Sequence, residues 1–383
     1  NGVIYTNGDN DTFPLWYAQE VEGIRNDVRV CNLSYLQTPW YIDQMKRKAY
    51  ESDPLPISFE HDQYLTGKRD MVYLMNRIQG EADLKEAMSF LRSDNERTKQ
   101  VPGYGGRVEH LPSKEFTMEV DSLKLLQRGF VSEQYAGSID SVMHIDLENR
   151  DYILKNEVMV LDMLAHNEWE RPFFYAVTVG QDNYVGLDDY FQLEGFGYRI
   201  APISSSGDEG MTGRVDTEKA YENFMNVYEL DNFSHPGVYL DENHQRMAVN
   251  IRNNMGRLAT ALVNEGKQDS AVAILDMAME KLPPDRIPHN YFSIFLAESY
   301  YETGEMESGD EILNDLARQN AQELDYFLTL PSSNRNAVMS DIRRDMAIHR
   351  EIENVAGSFD REELLEKLEQ EYNADMQKGG FFQ

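Results

Sequence analysis

Over the first fifty residues, the hydrophobic pattern alternates between short β-prone runs and longer stretches with helical spacing. Gly2–Thr6 reads as a strand, and the turn chemistry of Asn7-Gly8-Asp9-Asn10 stops it. Thr12 or Asp11 can cap the helix that follows, which tolerates Pro14 in its first turn and offers Trp16, Tyr17 and Val21 for packing. Val28–Leu33 predicts a second strand. Thr38-Pro39-Trp40-Tyr41 repeats the opening of the first helix, and Lys46, Arg47 and Lys48 suit the negative end of its dipole. This strand-helix-strand-helix order implies a parallel sheet with helices on its faces.

The signal then weakens. Residues 49–64 read as irregular, Glu81–Leu91 as helical and residues 93–113 as a polar connection. From Tyr152, Leu154, Val158, Leu161 and Ala165 share one helical face while Met159, Val160 and Met163 occupy others, which predicts a helix buried on two sides. The continuous apolar run Phe173–Val179 has the form of a central strand covered on both faces. Leu187–Phe196 suits another helix, Tyr198–Ile203 an edge strand, and Ser204-Ser205-Ser206-Gly207 a mobile loop.

Beyond about Glu242 the rhythm is helical throughout. A 34-residue helical-hairpin template fits residues 252–285, with Leu258, Ala259 and Leu262 on the first helix and Gly266 ending it. Ala271, Leu275 and Ala278 line the second helix, and Pro283 stops it. A second copy, displaced by 38 residues, puts Ala297, Tyr300, Gly304, Gly309 and Leu313 at equivalent positions but has Leu316 where a small residue is expected and lacks the closing Pro. These units resemble tetratricopeptide repeats, and helices at roughly 335–355 and 359–375 are expected to cap the stack. The fold expected is thus α/β plus all-α: a three-layer, Rossmann-like α/β domain with a mostly parallel sheet at 1–235, tetratricopeptide-like repeats at 240–330, and C-terminal capping helices at 331–383.

Charge narrows the partners. The 383 residues carry 36 basic and 67 acidic side chains, a net of −31, which repels phosphate backbones and argues against nucleic acid. Residues 1–100 hold 12 of the basic and 16 of the acidic groups, so nearly all the excess lies beyond them. The single cysteine, Cys31, excludes an internal disulfide, and its apolar neighbours predict a buried thiol. No run is apolar and long enough for a bilayer span. A strand beginning almost at residue 1, without a starting Met, suggests a piece of a longer polypeptide.

Candidate chemistry clusters where the two clearest strands end. Asn7, Asp9, Asn10 and Asp11 follow the first strand, and Gln181 and Asp182 follow the run Phe173–Val179. In parallel α/β sheets that rim is where ligands bind. Asp9 and Asp11 form an Asp-x-Asp whose oxygens suit Mg²⁺, Mn²⁺ or Ca²⁺; the same residues also serve as Asx-turn and helix-capping groups. None of the eight histidines has metal-ligand spacing, and no P-loop, nucleophile elbow or dinucleotide fingerprint occurs. In the second repeat Tyr291, Phe295 and Tyr301 are candidates for a peptide groove, although helical hairpins also bury such aromatics in their core.

Thr6–Tyr17, Gln19–Gly23, Asp27–Val30 and Thr38–Gln44 resemble a bacterial family of polytopic membrane proteins, protein O-mannosyltransferase-like glycosyltransferases of GT-C type. Trp169-Glu170-Arg171-Pro172, Gly186–Tyr190, Leu193–Gly195 and Tyr239–Asn243 extend the likeness over most of the chain. The resemblance implies a membrane-embedded transferase domain before Asn1, with this chain as the soluble region on the periplasmic side of the inner membrane. GT-C enzymes carry their catalytic acid on a loop of the membrane portion, so no catalytic residue transfers to this sequence. The function expected is recognition of an acceptor protein, a partner or a glycan, with the membrane domain of the same polypeptide as a further partner. Two other readings remain: a metal-dependent sugar-processing enzyme using Asp9 and Asp11, and a plain tetratricopeptide scaffold.

Overall fold

The computed structural model describes residues 1–378 except 102, 104 and 205–210, so most of the expected Ser204–Gly207 loop lies outside the described residues. It divides into two compact units, Asn1–Asp216 and Thr217–Gln383. Residues 217–235, expected to belong to the α/β domain, fall in the second unit, where the Thr217 hydroxyl donates to the Glu265 carboxylate at 3.0 Å.

The first unit opens as its pattern predicts: β1 (Val3–Thr6), α1 (Asp9–Glu20), β2 (Arg29–Asn32) and α2 (Pro39–Met45). Short elements follow: β3 (Met71–Leu74), β4 (Ala82–Asp83), α3 (Leu84–Arg92), α4 (Glu96–Lys99), β5 (His110–Leu111), β6 (Glu115–Glu119), α5 (Ser122–Gln127), β7 (Val142–Asp146) and β8 (Tyr152–Leu154). The unit closes with α6 (Lys155–Asn167), β9 (Phe173–Ala176), β10 (Phe191–Leu193), β11 (Gly197–Ile200) and β12 (Arg214–Val215). The main sheet has the order β12-β10-β11-β9-β1-β2. Strands β2, β1 and β9 run parallel, whereas β11 is antiparallel to both β9 and β10. Two three-stranded sheets, β5-β3-β8 and β4-β6-β7, complete this mixed α/β unit.

Three local expectations are corrected. Leu187–Phe196 is not a helix: a 3₁₀ turn at Asp188–Tyr190 leads into β10, which pairs with β11 from Phe191↔Ile200 to Leu193↔Tyr198. Strand β11 is interior rather than an edge, because β9 and β10 flank it. Helix α1 begins at Asp9 with Gly8 at its N-cap and no capping side chain. Gly8 has φ +122°, a conformation open to glycine and strained for other residues.

Helix α6 is buried on every side from Lys155 to Ala165. Its polar groups are matched by distant segments: Lys155 Nζ donates to the Tyr64 carbonyl at 2.8 Å, and Asp162 accepts from the Ser58 amide at 2.7 Å and its hydroxyl at 2.6 Å. Such pairing is what makes buried charge tolerable.

The second unit starts with α7 (Thr217–Glu222) and α8 (Asp231–Ser234), followed by α9 (Glu242–Asn264) and α10 (Gln268–Lys281). Next come α11 (Ser293–Thr303), α12 (Met306–Thr329), α13 (Ser332–Arg335), α14 (Met339–Ser358) and α15 (Glu362–Lys378). Helices α9 and α11 end alike. Gly266 and Gly304 are left-handed, and the amides after them reach back to Leu262 and Tyr300 at 2.8 and 2.9 Å. Repeat positions Leu258, Ala259, Leu262, Ala271, Leu275 and Ala278 are all buried, as are Ala297, Tyr300, Leu313 and Leu316. Without the closing Pro, α12 continues to Thr329, and α14 and α15 pack against it. These helices form repeat-like hairpins.

Candidate functional site

Parallel pairing places Val3 opposite Phe173 and Tyr5 opposite Tyr175, so β1 and β9 end at the same edge of the sheet. The segment holding Asn7, Asp9, Asn10 and Asp11 and the segment holding Gln181 and Asp182 therefore leave from one rim. A hydrogen bond joins them: the Thr178 hydroxyl donates to Asp11 Oδ2 at 2.9 Å. The same oxygen accepts the Asn7 amide at 2.9 Å. Behind them, the Thr6 and Thr12 hydroxyls lie 2.7 Å apart, and Asn32 Nδ2 donates to Thr12 Oγ1 at 2.8 Å and to the Gly8 carbonyl at 3.2 Å. Ser34 Oγ closes the network on Asn7 Oδ1 at 2.7 Å.

Asp11 is thus engaged in holding its own loop. Asp9, Asn10, Gln181 and Asp182 are exposed, and the Asp182 carbonyl accepts from Arg150 at 3.3 Å. Among the described residues no group of three or more His, Cys, Asp or Glu is placed to hold a metal ion. The strand beside the rim carries Cys31, whose thiol burial pushes up to about 12, so it stays protonated and unreactive.

The aromatic candidates of the second unit separate. Tyr291 is 42% exposed and meets the half-buried Phe295 edge-on at 6.1 Å. Tyr301 is a correction: it is 2% exposed, lies against Phe359 at 4.9 Å and donates its hydroxyl to Asp310 at 2.9 Å. It belongs to the core, where Gly309 leaves room for its ring.

A feature missed in the sequence lies beside β2, the edge strand of the main sheet. Helices α1 and α2 and the turn around Tyr50 enclose a cleft of about 370 Å³, with Trp16, Trp40 and Tyr50 among its walls. Rings continue along this face, Phe13 stacking on Trp16 at 5.6 Å and Trp16 on Tyr35 at 6.1 Å. Tyr17 and Val21, expected to pack inward, are 58% and 64% exposed. The outer edge of β2 is closed by Tyr41, whose hydroxyl accepts the Asn32 amide at 2.9 Å and donates to the Val30 carbonyl at 3.3 Å. The paired aromatics of Trp16-Tyr17 and Trp40-Tyr41 were the available signal, since two adjacent large rings on one helix cannot both face the same core.

Two buried arginines brace the segment next to the cleft. Arg29 donates to the carbonyls of Met45, Arg47, Ser52 and Asp53, and Arg171 to those of Asn1, Gly2, Asp53 and Pro54 and to Ser52 Oγ. Burial draws the Arg171 guanidinium down to about 10.

Taken together, these features define a mixed α/β domain, with a polar rim and an aromatic cleft, in a chain that continues as helical hairpins. The chain belongs to the TMEM260-associated domain 2 family, whose model matches residues 1–219. No curated protein and no solved structure matches the chain.

Proposed function

We propose that this chain is the extracytoplasmic recognition region of a membrane glycosyltransferase-like protein, on the periplasmic side of the inner membrane, and is not catalytic in isolation. The observation that carries this reading is the family match over residues 1–219, because TMEM260 is a protein O-mannosyltransferase. No helix among the described residues is long and apolar enough to cross a membrane, so on this reading the spans belong to another part of the polypeptide. The tetratricopeptide-like hairpins would hold an acceptor protein or partner through the surface around Tyr291 and Phe295, and the α/β unit would face the membrane domain or a glycan.

The test is protease accessibility in spheroplasts that express the uninterrupted reading frame with an epitope in the second unit. Digestion by added protease without lysis is the expected result. Protection until the inner membrane is broken would sink the proposal.

A further inference from the structure

We propose that the cleft between α1 and α2 binds a saccharide, seated on its tryptophan rings and hydrogen-bonded by the amide and carboxylate side chains beside them. The inference goes beyond the recognition role above and rests on the cleft alone. A pyranose ring has an apolar face of C–H bonds and a rim of hydroxyls, so it needs a flat aromatic surface bordered by planar polar groups. Trp16, Trp40 and Tyr50 supply the former, while Gln19, Glu20 and Gln44 supply the latter. Its volume of about 370 Å³ falls within the roughly 300–1,000 Å³ of small-molecule sites.

Two further observations point to a polar ligand. Asn26 and Arg29 both line the cleft, and Asn26 Oδ1 and Arg29 Nε are buried polar atoms with no hydrogen-bond partner in the protein. Buried polar groups are normally satisfied, so these two atoms mark unmet hydrogen-bonding capacity in the wall of the cleft. Tyr50 stands in the left-handed region at φ +52°, its hydroxyl tied to the Glu20 carboxylate, so a strained residue holds a ring at the cleft. A peptide adding to the sheet is disfavoured because Tyr41 already occupies the outer edge of β2.

The probes are methyl α-mannopyranoside, methyl β-glucopyranoside, methyl β-galactopyranoside and chitobiose, added to the full 383-residue chain and followed by saturation-transfer NMR. A saturable response to at least one is expected, with half-saturation on the order of 1 mM, a usual affinity for one small ring on an open surface. Trp40 is 58% exposed, so Trp40→Ala should keep the thermal midpoint while weakening binding at least tenfold, and Asn26→Ala should weaken it as well. No saturable response to any of the four, or one unchanged in Trp40→Ala, overturns the proposal. Displacement of the sugar by decanoate at equal concentration would instead mark an apolar docking surface and overturn it too. The spheroplast result is independent of all these outcomes.

Discussion

The hydroxyl of Thr178 and the carboxylate of Asp11 meet at 2.9 Å, across 167 residues of chain, and join the loop after β9 to the first turn of α1. Asp11→Ala removes the shared acceptor of this bond and of the Asn7 amide. A loss of about 1–3 kcal/mol in chemical denaturation is expected, against less than about 1 kcal/mol for the exposed Thr178→Ala. Combined, the two changes should cost less than their sum by about 0.5 kcal/mol or more. Strict additivity would show that the two side chains do not share a bond in solution.

Gly309 and Gly357 are both helical, yet a methyl group added to them has opposite consequences. At Gly309 it would come within 2.4 Å of the Tyr301 ring, and at Gly357 it would meet nothing within 4 Å. Gly309→Ala should therefore destabilise the fold by about 1–3 kcal/mol. Gly357→Ala should stabilise it by up to about 1 kcal/mol through helix propensity. Thermal midpoints moving in opposite directions are the expected signature.

His289 is buried beside the Arg252 guanidinium, and burial first, then that charge, draws its pKa down to about 3. The imidazole is neutral in the fold but takes up a proton below about 6.5 once unfolded. Its contribution is fully present above pH 6.5 and is lost as the pH falls toward 3, at up to about 1.4 kcal/mol per pH unit. His289→Asn keeps a group facing Ser293 Oγ, which lies 3.0 Å from the ring nitrogen. Urea unfolding between pH 7 and 4 should show a shallower acid limb in the variant; an unchanged slope would place the protonation elsewhere.

Arg252 is fully buried, with its guanidinium on the carbonyls of Leu282, Ile287 and Pro288 at 3.2, 2.7 and 2.6 Å. This side chain fastens the lengthened turn between α10 and α11. Arg252→Leu leaves those carbonyls without a donor and should cost about 2–5 kcal/mol, read as a lower urea midpoint. A variant as stable as the parent would mean that water replaces the guanidinium.

Much of this architecture can be read from short-range pattern. The apolar runs at Val3–Thr6 and Phe173–Ala176 mark neighbouring strands because strands covered on both faces have no polar alternation. Gly266 and Gly304, 38 residues apart, mark equivalent helix ends because each takes the left-handed conformation that glycine adopts without strain. Pattern fails where a remote partner decides. Leu187, Tyr190, Phe191 and Leu193 have helical spacing, but β11 offers Phe191–Leu193 a ladder of backbone hydrogen bonds. Lys155 and Asp162 seem to demand solvent until Tyr64 and Ser58 satisfy them from some 91 and 104 residues away.

At the rim, Asn7 and Asp11 are legible as turn chemistry, while Thr178 is not, since nothing in its local sequence names its partner. The cleft was hidden for a related reason. Its Trp16 reads as a packing residue by hydrophobicity, and only the placement of α1 and α2 beside an edge strand brings it and Trp40 to the wall of one cleft. The strands of the two small sheets, two to five residues long, are too short to show a period.

The grip of Arg171 on Asn1, Gly2 and the segment Ser52–Pro54 sets an order on folding during synthesis. A nascent chain that has emerged only as far as α2 already contains β1 and β2, yet it lacks β9, the second neighbour of β1. It also lacks the guanidinium that arrives 118 residues after Asp53. The amino-terminal segment therefore waits, unfinished, through the synthesis of about a hundred residues, with its aromatic side chains available to chaperones in that interval.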